Sequence, residues 1–251
     1  LSASDSNVFE ESGWLGRFIM ERQKHFPNTT GDAFALEMGN RMGNAFRSDH
    51  RLMGIPYAQG TPYIEDFSQS ELLSDSTDLE NLLIEYAKEG RQYTSRIDQV
   101  VDKTPTGVGK YYEGNGAFAT SLSTVSRCIR GGLHTQVYII HAGAFDTHSD
   151  QQIDHSIELE QLATNILAFQ REMESSRMAD RVTILAMSEF GRRPQPRGTG
   201  TDHGTAAPVF LIGNRVHGGM HGVSPSISDL DQDGNLFWHI DFRSIYSSIL
   251  E

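Results

Sequence analysis

An aspartate and a histidine stand two residues apart in "AFDTHSDQ" (144–151), directly after the apolar run "QVYIIHAG". Charged and imidazole groups at the end of a core strand are costly unless they are solvated, paired or bound to something. Two further segments repeat the situation. "SEFGR" (188–192) brings Glu189 and Arg192 at the end of a second apolar run, and "GTGTDHG" (198–204) brings Asp202 and His203 just before a third. Carboxylates and imidazoles converging from separate segments make a mixed N/O donor set for a divalent cation, with zinc, manganese or iron the best suited. In extended backbone, residues two apart point to one side, so Asp146 and His148 can reach the same ion. Asp146, His148, Glu189 and His203, with Asp202 beside them, are therefore the candidate ligands. Arg192, Arg193 and Arg197 bring positive charge that would meet an anionic substrate.

The same residues have plainer readings. Asp146 or Ser149 suits the N-cap of a following helix. A loop histidine is commonly solvated, and Glu189 has Arg192 and Arg193 within pairing reach. The metal reading rests on all three segments falling at the carboxyl end of one sheet, where open α/β sheets bind ligands. Two other stretches compete. In "HGGMHG" the glycines between His217 and His221 disfavour a helix, which leaves a loop with solvated histidines. In "DLDQDGN", Asp229, Asp231 and Asp233 resemble the first half of a calcium loop. Its twelfth position is Ile240, where a bidentate glutamate is required, so an Asp-Gly turn is the preferred reading, and calcium stays an alternative cation.

These residues need elements to hold them. "TQVYIIHAG" and "RVTILAMSEFG" read as β-rich strands. Between them Leu159, Leu162, Ile166, Phe169 and Met173 line one face of a helix. Strand, helix, strand predicts a parallel pair with a right-handed crossover. "AAPVFLIGN" is a third strand, and "DFRSIYSSILE" a closing helix that starts at Asp241. Upstream, Leu79, Leu82, Tyr86, Tyr93, Ile97 and Val100 mark one amphipathic helix. Phe118, Leu122, Val125 and Ile129 mark another that stops at Gly131. Cys128, on this second helix, is the only cysteine. It excludes an intrachain disulfide and a cysteine zinc cluster, and reads as a small buried hydrophobe. The fold expected is α/β, a mostly parallel central sheet flanked by helices. A mainly helical part (1–132) precedes an α/β part (133–251) that carries the metal site.

Composition narrows the partners. Acidic residues number 33 against 21 Lys and Arg, a net charge of −12, which is the wrong sign for nucleic acid or an anionic membrane surface. No apolar run approaches the ~18 residues of a membrane span. The 37% hydrophobic content together with 24 glycines is that of a globular chain able to bury a core. No phosphate-binding loop or dinucleotide fingerprint is present. The chain opens on Leu1 and ends inside a helical pattern, so it reads as a segment of a longer protein.

Several stretches in order, "SGWLGRFI", "AGAFDTHSDQ", "RVTILAMSEFGRRP", "GTGTDHGTAAPVFLIG", "VHGGMHGVSP" and "DFRSIY", resemble a bacterial family of exported proteins designated domain of unknown function 1501. That resemblance runs from about residue 12 to the end. It implies the alkaline phosphatase and sulfatase superfamily, whose members hold one or two divalent metals at strand ends and hydrolyse phosphate or sulfate esters. By resemblance, Asp146 and His148 match an Asp-Thr-His motif, and Glu189 and Arg192 a Ser-Glu-Phe-Gly-Arg motif. Asp202 and His203 match a Thr-Asp-His-Gly motif, and Gln151 a glutamine beside the substrate. The nucleophile would come from a segment before Leu1 or from water. The partner implied is a small anionic ester or a cell-surface glycan. Twin-arginine export would place the protein in the periplasm or at the cell surface. The alternative is a non-catalytic binding or structural protein on the same fold.

Overall fold

The computed structural model describes residues 12–25, 30–48, 53–59, 78–107, 112 and 116–250. The chain divides into two compact units, Leu1–Lys110 with Gly114–His141, and Tyr111–Glu113 with Ala142–Glu251.

The first unit is built on a small parallel sheet. Its strands are β1 (Ala35–Met38), β2 (Ile55–Tyr57) and β3 (Val137–Ile139), in the order β2-β1-β3. Leu36 lies opposite Ile55 on one side and Tyr138 on the other. All four residues of β1 are buried, as befits a central strand covered on both faces. Helix α1 (Trp14–His25) packs Leu15 and Ile19 against Phe34, Ala35, Phe46 and Met53. The glycines of "GWLG" explain how α1 comes so close. A Cβ on Gly13 would stand 2.1 Å from the Asn44 carbonyl oxygen, and one on Gly16 2.2 Å from that of Arg47. Only a bare backbone fits there.

Helices α2 (Asp78–Lys103) and α3 (Ala117–Arg130) complete this unit. Tyr93 and Ile97 of α2 are buried, as are Leu122, Val125 and Cys128 of α3. The side chains of Leu79, Leu82 and Tyr86 lie outside the described residues. Helix α3 ends one residue before Gly131, as its sequence predicts. Arg127 of α3 donates from Nε to the Thr104 carbonyl at 2.8 Å. At the amino end of the sheet, Asp32 is buried. It takes the Arg96 Nε at 2.7 Å and the His134 backbone N–H at 2.9 Å. These contacts tie α2 and the approach to β3 to one carboxylate, and such a group stays buried only when paired.

The second unit contains α4 (Gln151–Ser175), β4 (Ile184–Ala186), β5 (Gly191–Arg197), β6 (Gly200–Gly204), β7 (Phe210–Ile212) and α5 (Phe242–Leu250). Strands β4 and β7 pair antiparallel, as do β5 and β6. Helix α4 buries Ile166, Phe169 and Met173 of its predicted face, but Leu159 is 42% exposed. Its buried Glu172 accepts a hydrogen bond from Tyr112 Oη at 2.6 Å.

The strands on either side of α4 do not form a parallel pair. Strand β3 joins β1, and β4 joins β7 in a different sheet. Among the described residues, parallel pairing is thus confined to the three-stranded sheet, and the other two sheets are antiparallel. An apolar run of three residues satisfies its backbone beside any neighbour, so its composition does not choose one. The segment "GRRPQPRGTG", which carries Arg192, Arg193 and Arg197, is most of a hairpin. Its strand β5 contains Pro194 and Pro196, and the register shifts between Arg192 and Pro196. Prolines are tolerated at edges and bulges, which this is. Among the described residues, 1–132 also hold β1 and β2, each too short for a period-2 signal.

Candidate metal centre

The hairpin β5–β6 sets the geometry. Arg192 and His203 are cross-strand partners in its ladder, so their side chains emerge together. The segment bearing Asp146 and His148 lies against the hairpin. Gly200 makes that approach feasible, because a Cβ there would fall 2.3 Å from the His148 carbonyl carbon. Three hydrogen bonds fasten the contact. Asp150 N–H donates to Thr199 Oγ1 at 2.8 Å, Gln151 N–H to the Thr199 carbonyl at 3.1 Å, and Gln151 Nε2 to Thr201 Oγ1 at 2.9 Å.

Asp146 is the hub. Its Oδ1 lies 2.6 Å from Arg192 Nη2, 2.8 Å from His203 Nε2 and 3.1 Å from His148 Nδ1. Ligand atoms of Asp146, His148 and His203 all fall within 4.8 Å of one another. The His203 hydrogen bond first, and then the neighbouring positive charges, hold the Asp146 carboxyl below its ordinary range. Helix α4 has Asp150 at its N-cap position, so Asp146 is not spent on capping. Arg192 is fixed by two further acceptors, the Thr201 carbonyl at 2.5 Å and the Phe145 carbonyl at 3.1 Å. Its guanidinium orients the Asp146 carboxylate.

One carboxylate and two imidazoles whose ligand atoms lie within 4.8 Å of one another suit zinc, manganese or iron. This donor set fits the group the sequence implies. The remaining expected residues stand elsewhere. Asp202 forms a two-oxygen pair with Arg197 Nη1, both at 3.1 Å. Glu189 is exposed between β4 and β5 and is outside the three-residue group. Gln151 is spent on Thr201. Asp231 accepts the backbone N–H of Asp233 at 2.9 Å and of Asn235 at 2.7 Å, which is a turn built on its own carboxylate. His221 Nε2 meets the His217 carbonyl at 3.1 Å, in an exposed loop.

Phe190 escaped the sequence reading. Its ring stacks on His203 with centroids 3.8 Å apart and planes 12° from parallel, and the Arg192 guanidinium carbon lies 5.5 Å from its centroid. The signal was available. Phe190 and Arg192 are two apart in extended chain, and so share a side. Thr147, between Asp146 and His148, is also buried.

Residues 20–238 match the model of one family, described as protein of unknown function (DUF1501). The match covers most of the chain, so the chain belongs to that family. No curated protein and no solved structure matches it.

Proposed function

From a member of that family with this donor set, we propose a metal-dependent hydrolase of phosphate or sulfate esters, of the alkaline phosphatase and sulfatase type. One observation carries the reading, the convergence of Asp146, His148 and His203 within 4.8 Å. These three residues would hold the cation. When bound, a divalent metal supplies a Lewis acid for an ester oxygen and lowers the pKa of water. The chain's own groups do the rest. Asp146 is kept ionised by His203 and by the Arg192 charge. Phe190 sets the plane of the His203 ring. Arg193, with its Nε near the His203 carbonyl at 3.2 Å, places a second cation on the same hairpin for an anionic ester. The same family reading supports export to the periplasm or cell surface.

A second reading has its own observation. The Arg192 guanidinium already neutralises Asp146 at 2.6 Å. This favours a non-catalytic binding or structural protein in which the cluster is a closed ion pair. Metal content by mass spectrometry decides between the two, with wild type beside His148→Ala. Stoichiometric zinc, manganese or iron that falls in the variant supports the hydrolase and directs a screen of p-nitrophenyl phosphate and sulfate. Wild type free of metal after growth with metals supplied overturns it.

A further inference from the structure

Glu37 is a carboxylate in the central strand of a parallel sheet, and its side chain is only 5% exposed. An aliphatic residue would serve the core better, because a buried carboxylate must find donors for both oxygens. Both are found. Oε2 accepts the Gly43 N–H at 2.5 Å, and Oε1 lies 2.7 Å from His141 Nε2. His141 follows β3, the neighbour of β1, so the pair sits at the carboxyl end of the sheet. That end is where open α/β sheets bind ligands. The imidazole itself is 73% exposed. In the tautomer that lets Nε2 donate to the Glu37 carboxylate, Nδ1 is the ring nitrogen left with a lone pair. No partner for Nδ1 occurs among the described residues.

We propose that Glu37 and His141 form an acid–base site that takes a carboxylic ester and water. Glu37 is the positioning residue, and His141 Nδ1 is the proton acceptor. As the water oxygen bonds to the acyl carbon, its O–H electrons stay on oxygen and the proton passes to Nδ1. The imidazolium charge is met by the Glu37 carboxylate. When the C–O bond to the alcohol breaks, the leaving oxygen takes the proton back from Nδ1. The sum is ester plus water to acid plus alcohol, with nothing oxidised. The arrangement of an acceptor nitrogen whose other ring nitrogen is held by a buried carboxylate is the general logic of such bases.

The test is hydrolysis of p-nitrophenyl acetate by the whole chain in excess chelator, which removes any contribution from a metal. His141→Asn on the exposed ring keeps the fold, and the rate is expected to fall about tenfold or more. Glu37→Gln is expected to fall comparably, with His217→Ala and His221→Ala unchanged as controls for ordinary surface imidazoles. Nitrogen-15 chemical shifts of His141 should report a protonated Nε2 and a bare Nδ1 in wild type, and mixed tautomers in Glu37→Asp. A chelator-resistant rate indifferent to His141→Asn, or a protonated Nδ1 in wild type, overturns the proposal.

Discussion

Two of the carboxylate–histidine contacts, Glu37 with His141 and Asp146 with His148 and His203, differ in what they hide. In the first unit the carboxylate of Glu37 is buried and the imidazole of His141 is exposed. In the second, Asp146 is 54% exposed, and His148 and His203 stand beside it about equally open. A buried carboxylate cannot trade partners, so it fixes whatever it touches. An exposed one exchanges with water and ions at little cost. The first arrangement therefore orients a side chain, and the second can admit a cation.

Substitutions separate these roles. The largest expected effect is on metal affinity. Asp146→Ala should weaken zinc binding by more than about 100-fold in calorimetry, since even an outer partner of a ligand is worth ~10–100-fold. Unchanged affinity would erase the distinction drawn here. Next comes stability. Asp32→Ala and Glu37→Ala each remove a buried carboxylate that ties neighbouring segments together and should cost about 1–3 kcal/mol in urea unfolding. Asp146→Ala should shift stability far less, because its charge is screened by solvent; a cost equal to that of Glu37→Ala would make both contacts structural. Gly16→Ala sharpens the first unit alone. Its methyl meets the Arg47 carbonyl, and the strain should cost about 1–3 kcal/mol.

The smallest effect is a pH dependence at Asp241, an exposed carboxyl held down to about 2, chiefly by the Arg243 side chain. A depressed carboxyl stabilises the folded state above its unfolded pKa, near ~3.9, and that stabilisation is lost as pH falls toward 2. Asp241→Asn should lower stability at neutral pH slightly and flatten the profile between about pH 4 and 2. A profile unchanged by the substitution would show that this exposed pair contributes nothing.

The chemistry of the second site was more legible in the sequence than the scaffold beneath it. Residue type and close spacing identified Asp146, His148 and His203, because a carboxylate and imidazoles in glycine-bearing turns have few apolar uses. Helices were legible where the period was long, as in α3 with its stop at Gly131. The sheet was not. Strands β1 and β2 span four and three residues, below the length at which alternation can be seen. Pairing is decided by tertiary packing, which is why β3 and β4 chose different partners. Asp202 matches the motif as well as His203 does, yet Arg197 takes it. Neighbouring residues in a strand point to opposite faces, so "Asp-His" in β6 sends one side chain to the cluster and the other away. The Glu37–His141 contact spans 104 positions, and no local pattern announces it.

The prolines of the hairpin have a consequence for solubility. Strand β5 belongs to a two-stranded sheet, and two of its seven residues, Pro194 and Pro196, have no N–H to donate. Three arginines share the same short strand. A second molecule seeking to extend this sheet would find gaps in the hydrogen-bond ladder and a row of repelling charges. The segment that presents the site to solvent is thereby protected from templating its own aggregation.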